Sequence, residues 1–231
     1  MSEDNLQELF GNIDIYLFDQ LLKGRFAPGM RVLDAGCATG RNLVYFLRNG
    51  YQVFAVDQSA ESILAVRQLA SILAPHLPAN NFRIEPVERM SFGREANSRQ
   101  QTTLSKETST DAAEKNASDP FDVVLSSAVL HFARDEEHWE AMVNEMWRVL
   151  RPGGIFFARL ASTIGIEDKV KLIERRRYHL PDGSDRFLVD EAMLKKVTAA
   201  LGGEFIEPIK TTLVENLRAM TTWVVRKGAE Y

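Results

Sequence analysis

The stretch Arg31-Val32-Leu33-Asp34-Ala35-Gly36-Cys37-Ala38-Thr39-Gly40-Arg41-Asn42 limits the possible folds more than any other. Val32 and Leu33 make a short apolar run of the kind that forms a buried strand. Asp34 follows, then a small-residue loop from Gly36 to Gly40. Beyond it, Leu43, Val44, Phe46 and Leu47 recur at near-helical spacing, with Gly50 as the stop. A chain that runs strand, glycine loop, helix brings backbone and a helix N-terminus to the carboxyl edge of a sheet, where open α/β sheets bind small ligands.

The spacing narrows the ligand. A dinucleotide needs Gly-x-Gly-x-x-Gly so that backbone can approach the pyrophosphate. Here the small positions are Gly36, Ala38 and Gly40, with an acid just before them. An acid suits an ammonium group or a ribose and is a poor neighbour for a pyrophosphate. Tyr51 to Asp57 then reads as a second strand ending in a carboxylate. It lies about 20 residues past the loop, where parallel-sheet logic puts a ribose-binding side chain.

Val32 to Gly40 resembles motif I of the class I S-adenosylmethionine (SAM)-dependent methyltransferases, with Ala38 in place of the middle glycine. The resemblance implies SAM as cofactor. It assigns Asp34 and the Gly36-Cys37-Ala38-Gly40 loop to the methionine end, and Asp57 with its neighbour Gln58 to the ribose. In that family the third strand runs into a segment whose acid and backbone N–H contact adenine. Pro86 occupies the acid's position here, so Val87 and Glu88 remain the adenine candidates. Asp122 to Ser126 reads as the fourth strand, and Phe121 to Phe132 matches the family's pattern around it, which places Ser126 and Ser127 on the floor of the site and His131 towards the substrate, as the candidate catalytic base.

The rest of the chain fits one α/β domain. Its 231 residues are 45% hydrophobic, its formal charge is -4, and its single cysteine, Cys37, excludes an internal disulfide framework. The charge gives no footprint for nucleic acid or an anionic membrane, no apolar run reaches the length of a bilayer span, and no metal cluster is expected. The expectation is a cytoplasmic protein. Asp4 to Lys23 reads as one helix, with Tyr16 and Phe18 as possible pocket residues. Ser59 caps a helix that stops near Pro75, and Asn81 to Val87 is the third strand. Gly93 to Asp119 is polar, lacks aromatics, and reads as a flexible insertion within the domain. Asp135 to Leu150 is an amphipathic helix, Pro152-Gly153 a turn, and Ile155 to Leu160 the fifth strand. Ile164 to Arg177 reads as helical, with a solvated arginine run at its end. Tyr178, His179 and Arg186 follow in a turn-rich insert and are candidate acceptor contacts. A helix from Asp190 to Leu201 and two strands, Glu204 to Leu213 and Met220 to Lys227, close the chain.

This alternation predicts a doubly wound, Rossmann-like, seven-stranded sheet, mostly parallel with the last strand antiparallel. The expected reaction is methyl transfer from SAM to a small-molecule acceptor. A protein acceptor, or a SAM-binding sensor or scaffold without catalysis, stays open. The loop spacing and Asp34 contradict a nicotinamide oxidoreductase. Nucleic-acid methylation is disfavoured, because Ser126-Ser127-Ala128-Val129 lacks the Asn/Asp-Pro-Pro-aromatic motif and Cys37 lies in the cofactor loop.

Overall fold

The computed structural model describes residues 6–94 and 119–229; most of the expected polar insertion, 95–118, lies outside the described residues. The core of the fold is five parallel strands: β1 (Arg31–Ala35), β2 (Gln52–Asp57), β3 (Phe82–Ile84), β4 (Phe121–Ser127) and β5 (Leu150–Ser162). Their order in the sheet is β3-β2-β1-β4-β5. Beyond β5 lies the antiparallel β11 (Arg218–Lys227), whose far edge carries both β9 (Gly203–Phe205) and β10 (Lys210–Val214). The expected strand from Glu204 to Leu213 is therefore two strands on one edge, interrupted at Glu207-Pro208. Because β1 to β5 are covered on both faces, they read as near-continuous apolar runs.

Helices cover both faces, as a doubly wound sheet requires. On one face α2 (Ile15–Leu22), α3 (Val44–Arg48) and α4 (Ala60–Leu73) bury Leu17, Phe46, Ile63 and Val66 against Val32, Val53 and Phe157. On the other, α5 (Glu136–Val149) and α6 (Glu191–Ala200) bury Trp139, Met146 and Leu194 against Phe156 and Trp223. The Trp139 and Trp223 rings stack at 6.1 Å, and the Trp223 indole donates to Thr198 Oγ1 at 2.9 Å. Each longer helix starts on a side-chain cap: Ser59 Oγ accepts from Ser62 N–H, Asp135 from His138 N–H and Asp190 from Met193 N–H.

Two further segments differ from expectation. The N-terminal helix is two helices, α1 (Leu6–Phe10) and α2, because Gly11 takes φ +60° and Asp14 caps a fresh start. A Cβ at Gly11 would lie 2.8 Å from Val44 Cγ2, so the close approach to α3 also requires glycine. Ile164 to Arg177 is not helical. It begins with turns and then forms β6 (Lys171–Glu174), which pairs antiparallel with β7 (Arg177–His179), itself paired with β8 (Asp185–Phe187). The arginine run is thus a hairpin turn, with Arg175 at φ +51°. Both ends of this small sheet's segment are clamped together. Thr163 N–H donates to the Val189 carbonyl at 2.9 Å, and Ser162 and Val189 form a parallel bridge.

An ion-pair cluster holds α2 against the far edge of the sheet. Lys23, Arg25 and Lys210 surround the buried Glu207 at 2.6 to 2.7 Å. Burial opposes ionisation of Glu207, but the bonds from Lys210 and Lys23 and the Arg25 charge outweigh it and hold its carboxyl down at about 2. This tether fixes where Asp14, the cap of α2, meets the strand ends.

Candidate functional site

The carboxyl ends of β1, β2 and β4 open into a cleft of about 290 Å³. Gly36, Ala38, Asp57 and Gln58 form one wall, Pro86, Val87 and Glu88 a second, and Ala128, Val129, Phe132 and Met142 a third. The loop after β1 is tied down by its own amides: Gly36 and Cys37 N–H donate to the Val56 carbonyl, and Gly40 N–H to the Cys37 carbonyl. Gly36 sits at φ +83° with a virtual Cβ only 2.5 Å from Val129 Cγ2, so any side chain there would drive the two walls apart. Ala38 and Ala128, both in the cleft lining, adopt left-handed backbone, φ +47° and +64°. Non-glycine residues in that region store strain, and such residues cluster at ligand sites.

Asp57 organises the loop from the side. One carboxylate oxygen accepts from Ala38 N–H at 2.9 Å and the other from Ser59 N–H at 2.9 Å. A carboxylate has about four lone-pair sites, so two remain for a ligand. Asp34 lies at the bottom of the loop, 1% exposed, and its Oδ2 has no partner among the described residues. Burial pushes its carboxyl up to about 7; Arg41 pulls it down and Asp57 adds to the rise. A buried acceptor left bare at a strand end is a group waiting for a donor. The buried Ser126 Oγ is likewise without a partner among the described residues.

At the other end, Val87 and Glu88 lie on a 3-10 turn, Val87–Arg89, that packs against α5. Glu88 Oε1 stands 3.3 Å from His138 Nε2. Pro86 begins this turn, which ends β3 sooner than the sequence implies.

The cleft thus gathers Gly36, Ala38, Asp57, Gln58, Val87 and Glu88. Asp34, Cys37, Gly40 and Ser126 stand behind its wall. Cys37 packs in the core, where burial, Asp34 and Asp57 raise its thiol pKa. Gly40 meets Val66 of α4. His131 is 7% exposed and is not part of the cleft lining, its Nδ1 accepting from Ala161 N–H at 3.3 Å. Burial, with Arg186 and Arg218 nearby, pushes its pKa down to about 4. Arg186 lies over the Phe132 ring at 4.9 Å, whereas His179 pairs with Asp185 at the surface and Tyr178 packs on the small sheet's own core.

One group was missed in the sequence. Asp14, buried, receives Arg159 Nη1 at 2.9 Å, Ser127 Oγ at 3.2 Å and Tyr16 N–H at 3.0 Å, and lies 3.6 Å from Arg41 Nη2. Arg41 also donates to Ser127 Oγ at 3.0 Å. The signal for it was an arginine inside the apolar strand Ile155-Phe156-Phe157-Ala158-Arg159-Leu160. A charged side chain interrupting an apolar strand inside the sheet points to a paired partner nearby.

Residues 33–156 match a family model described as a methyltransferase domain. A malonyl-[acyl-carrier protein] O-methyltransferase from Enterobacter lignolyticus is 27% identical over 208 residues, which cover 88% of this chain and 66% of that protein. The fold is also that of 1,6-didemethyltoxoflavin-N1-methyltransferase from Burkholderia thailandensis, solved with S-adenosylhomocysteine (TM-score 0.60, 20% identity, 90% of this chain and 75% of that one). Magnesium protoporphyrin IX methyltransferase from Synechocystis, with bound SAM, aligns similarly (TM-score 0.59, 14% identity, 93% and 77%).

Proposed function

Because the chain belongs to the methyltransferase-domain family and is a SAM-dependent methyltransferase, we propose that it methylates a small-molecule acceptor. The observation that carries this reading is the bare, buried Asp34 carboxyl beneath a loop fixed by Asp57. The donor set fits the cofactor. Asp34 would accept from the methionine ammonium, and Asp57 would use its free lone pairs for the ribose hydroxyls. Val87, Phe132 and Met142 would flank the adenine, with Glu88 accepting from its amino group. Bound there, SAM supplies an electrophilic methyl on a sulfonium, itself a good leaving group. The protein's work is then alignment and exclusion of water. The names of the toxoflavin and magnesium protoporphyrin methyltransferases support a small acceptor, and that of the malonyl-[acyl-carrier protein] methyltransferase a small acyl group borne on a carrier.

His131 faces the acceptor side in this reading. With Nδ1 accepting from Ala161 N–H, its neutral ring presents Nε2–H as a donor. To accept a proton at Nε2 it must first give up that bond. Its low pKa also makes it a weak base. The site therefore suits an acceptor whose nucleophile needs little deprotonation. Calorimetry with SAM and S-adenosylhomocysteine (SAH), followed by an acceptor screen reading SAH release, tests the function. Binding with turnover on a small molecule is expected; turnover on proteins alone would refute the acceptor class.

A further inference from the structure

Arg159 has no task in the scheme above, yet its position costs stability. It projects from β5 beside Ser127, with which it pairs in register, and the Ala128 N–H donates to its carbonyl at 2.7 Å. Ala128 and Val129 line the cleft, so Arg159 lies next to that wall on β5, two strands from β1 and level with the carboxyl end of β4, the side from which an acceptor would approach. Only Nη1 is engaged by a carboxylate, that of Asp14. Its Nε is buried and has no partner among the described residues. A guanidinium offers five donors in a planar fork suited to bidentate carboxylate binding. The side chain as a whole is half-buried, 19% exposed, so the guanidinium keeps a face open to solvent while its bare Nε carries a desolvation cost.

The charges agree. Asp14 faces two guanidinium groups, Arg159 at 2.9 Å and Arg41 at 3.6 Å, which leaves one positive charge in excess. Arg41 directly follows Gly40 and so belongs to the cofactor loop, whereas Arg159 comes from a different strand. The Tyr16 ring lies 5.3 Å from the Arg159 guanidinium and its hydroxyl pairs with Thr212, so the arginine is held from below.

We propose that Arg159 binds a carboxylate of the methyl acceptor, through the accessible guanidinium N–H groups that Asp14 leaves free, making the enzyme selective for acidic small molecules. This rests on the small-acceptor reading above. Arg159 is a specificity residue that touches substrate, and Asp14, Ser127 and Tyr16 position it.

The test uses the full chain saturated with SAH. Malonate, glutarate and benzoate are titrated beside their primary amides, which keep the shape and lose the charge. At least one acid should bind tenfold or more tighter than its amide. In Arg159→Met that preference should vanish while SAH affinity stays within twofold; Arg159→Lys should retain part of it. If Arg159→Met fails to fold because Asp14 loses its nearer guanidinium, Arg159→Lys and the acid–amide pairs on the wild-type protein decide. Equal binding of acid and amide, or no binding of any acid, overturns the proposal. So does a tenfold loss of SAH affinity in Arg159→Met with the acid preference intact, which would give Arg159 to the cofactor instead. Failure of the wild-type protein to bind SAH would sink the cofactor site itself, a separate outcome.

Discussion

Binding of the cofactor should expel a proton from Asp34. Its carboxyl has a pKa of about 7 in the unliganded protein, raised chiefly by burial. The ammonium of SAH favours the ionised form, so any proton on Asp34 must leave when the ligand arrives. At pH 6 about nine-tenths of the molecules carry that proton, and at pH 8 about one-tenth do. Calorimetry in two buffers of different ionisation enthalpy should therefore read about 0.9 proton released at pH 6 and about 0.1 at pH 8. The apparent affinity should be about tenfold weaker at pH 6, equivalent to ~1.4 kcal/mol. Asp34→Asn should abolish the release and weaken binding at both values. Proton release near zero at pH 6, or release unchanged in Asp34→Asn, would refute the assignment of Asp34 to the ammonium.

Folding stability carries a linked signature with two opposing parts. Asp34 has a raised folded pKa and takes up a proton on folding, so its contribution falls as pH rises from about 4 to about 7. His131, depressed to about 4 by burial, Arg186 and Arg218, stays neutral, so its contribution falls as pH drops below about 6.5. In His131→Asn the second part is absent, and urea titrations should find the variant gaining on the wild type by up to about 3 kcal/mol between pH 6.5 and pH 4; a gap independent of pH would count against it. Gly36→Ala, with a Cβ at 2.5 Å from Val129 Cγ2 and φ +83°, should cost about 2–4 kcal/mol in thermal unfolding. Adding Val129→Ala should return the steric part only; full additivity of the two losses would contradict the contact. Asp57→Ala, which frees Ala38 and Ser59 N–H, should weaken SAH binding at least tenfold, in line with ~1.5–3 kcal/mol for bonds to a charged group. Unchanged affinity would remove Asp57 from the site.

Much of the fold was legible because its determinants are local. Ser59, Asp135 and Asp190 announce helices by the side-chain oxygen each offers to an amide three residues on. The β1 loop could be read because glycine is needed where Gly36 meets Val129. Gly11 and Asp14 also formed a stop-and-start signal, obscured by leucines that keep a helical period across the break. The β6–β8 sheet was hidden for a different reason. Its strands are mostly exposed and its pairings, such as Tyr178 with Arg186, are made between segments. Ile166, Val170 and Ile173 mimic a helix face, but Gly165 at φ +79° and the later pairing prevail. The acid and arginines around Asp14 came from residues 14, 41, 127 and 159, a proximity that only the sheet order creates. His131 was legible as a residue near the site, whereas its bond to Ala161 was not.

The clamp between Thr163 and Val189 has a consequence for how such a catalyst can diversify. The segment it encloses leaves and re-enters the sheet at almost the same point. Closing a longer or shorter excursion between fixed ends changes the entropy only logarithmically. The cofactor-facing residues all precede it in the chain. Residues 164–188 therefore form an exchangeable cassette: grafting in a different excursion would reshape what stands over Phe132 while leaving the loop after β1 untouched.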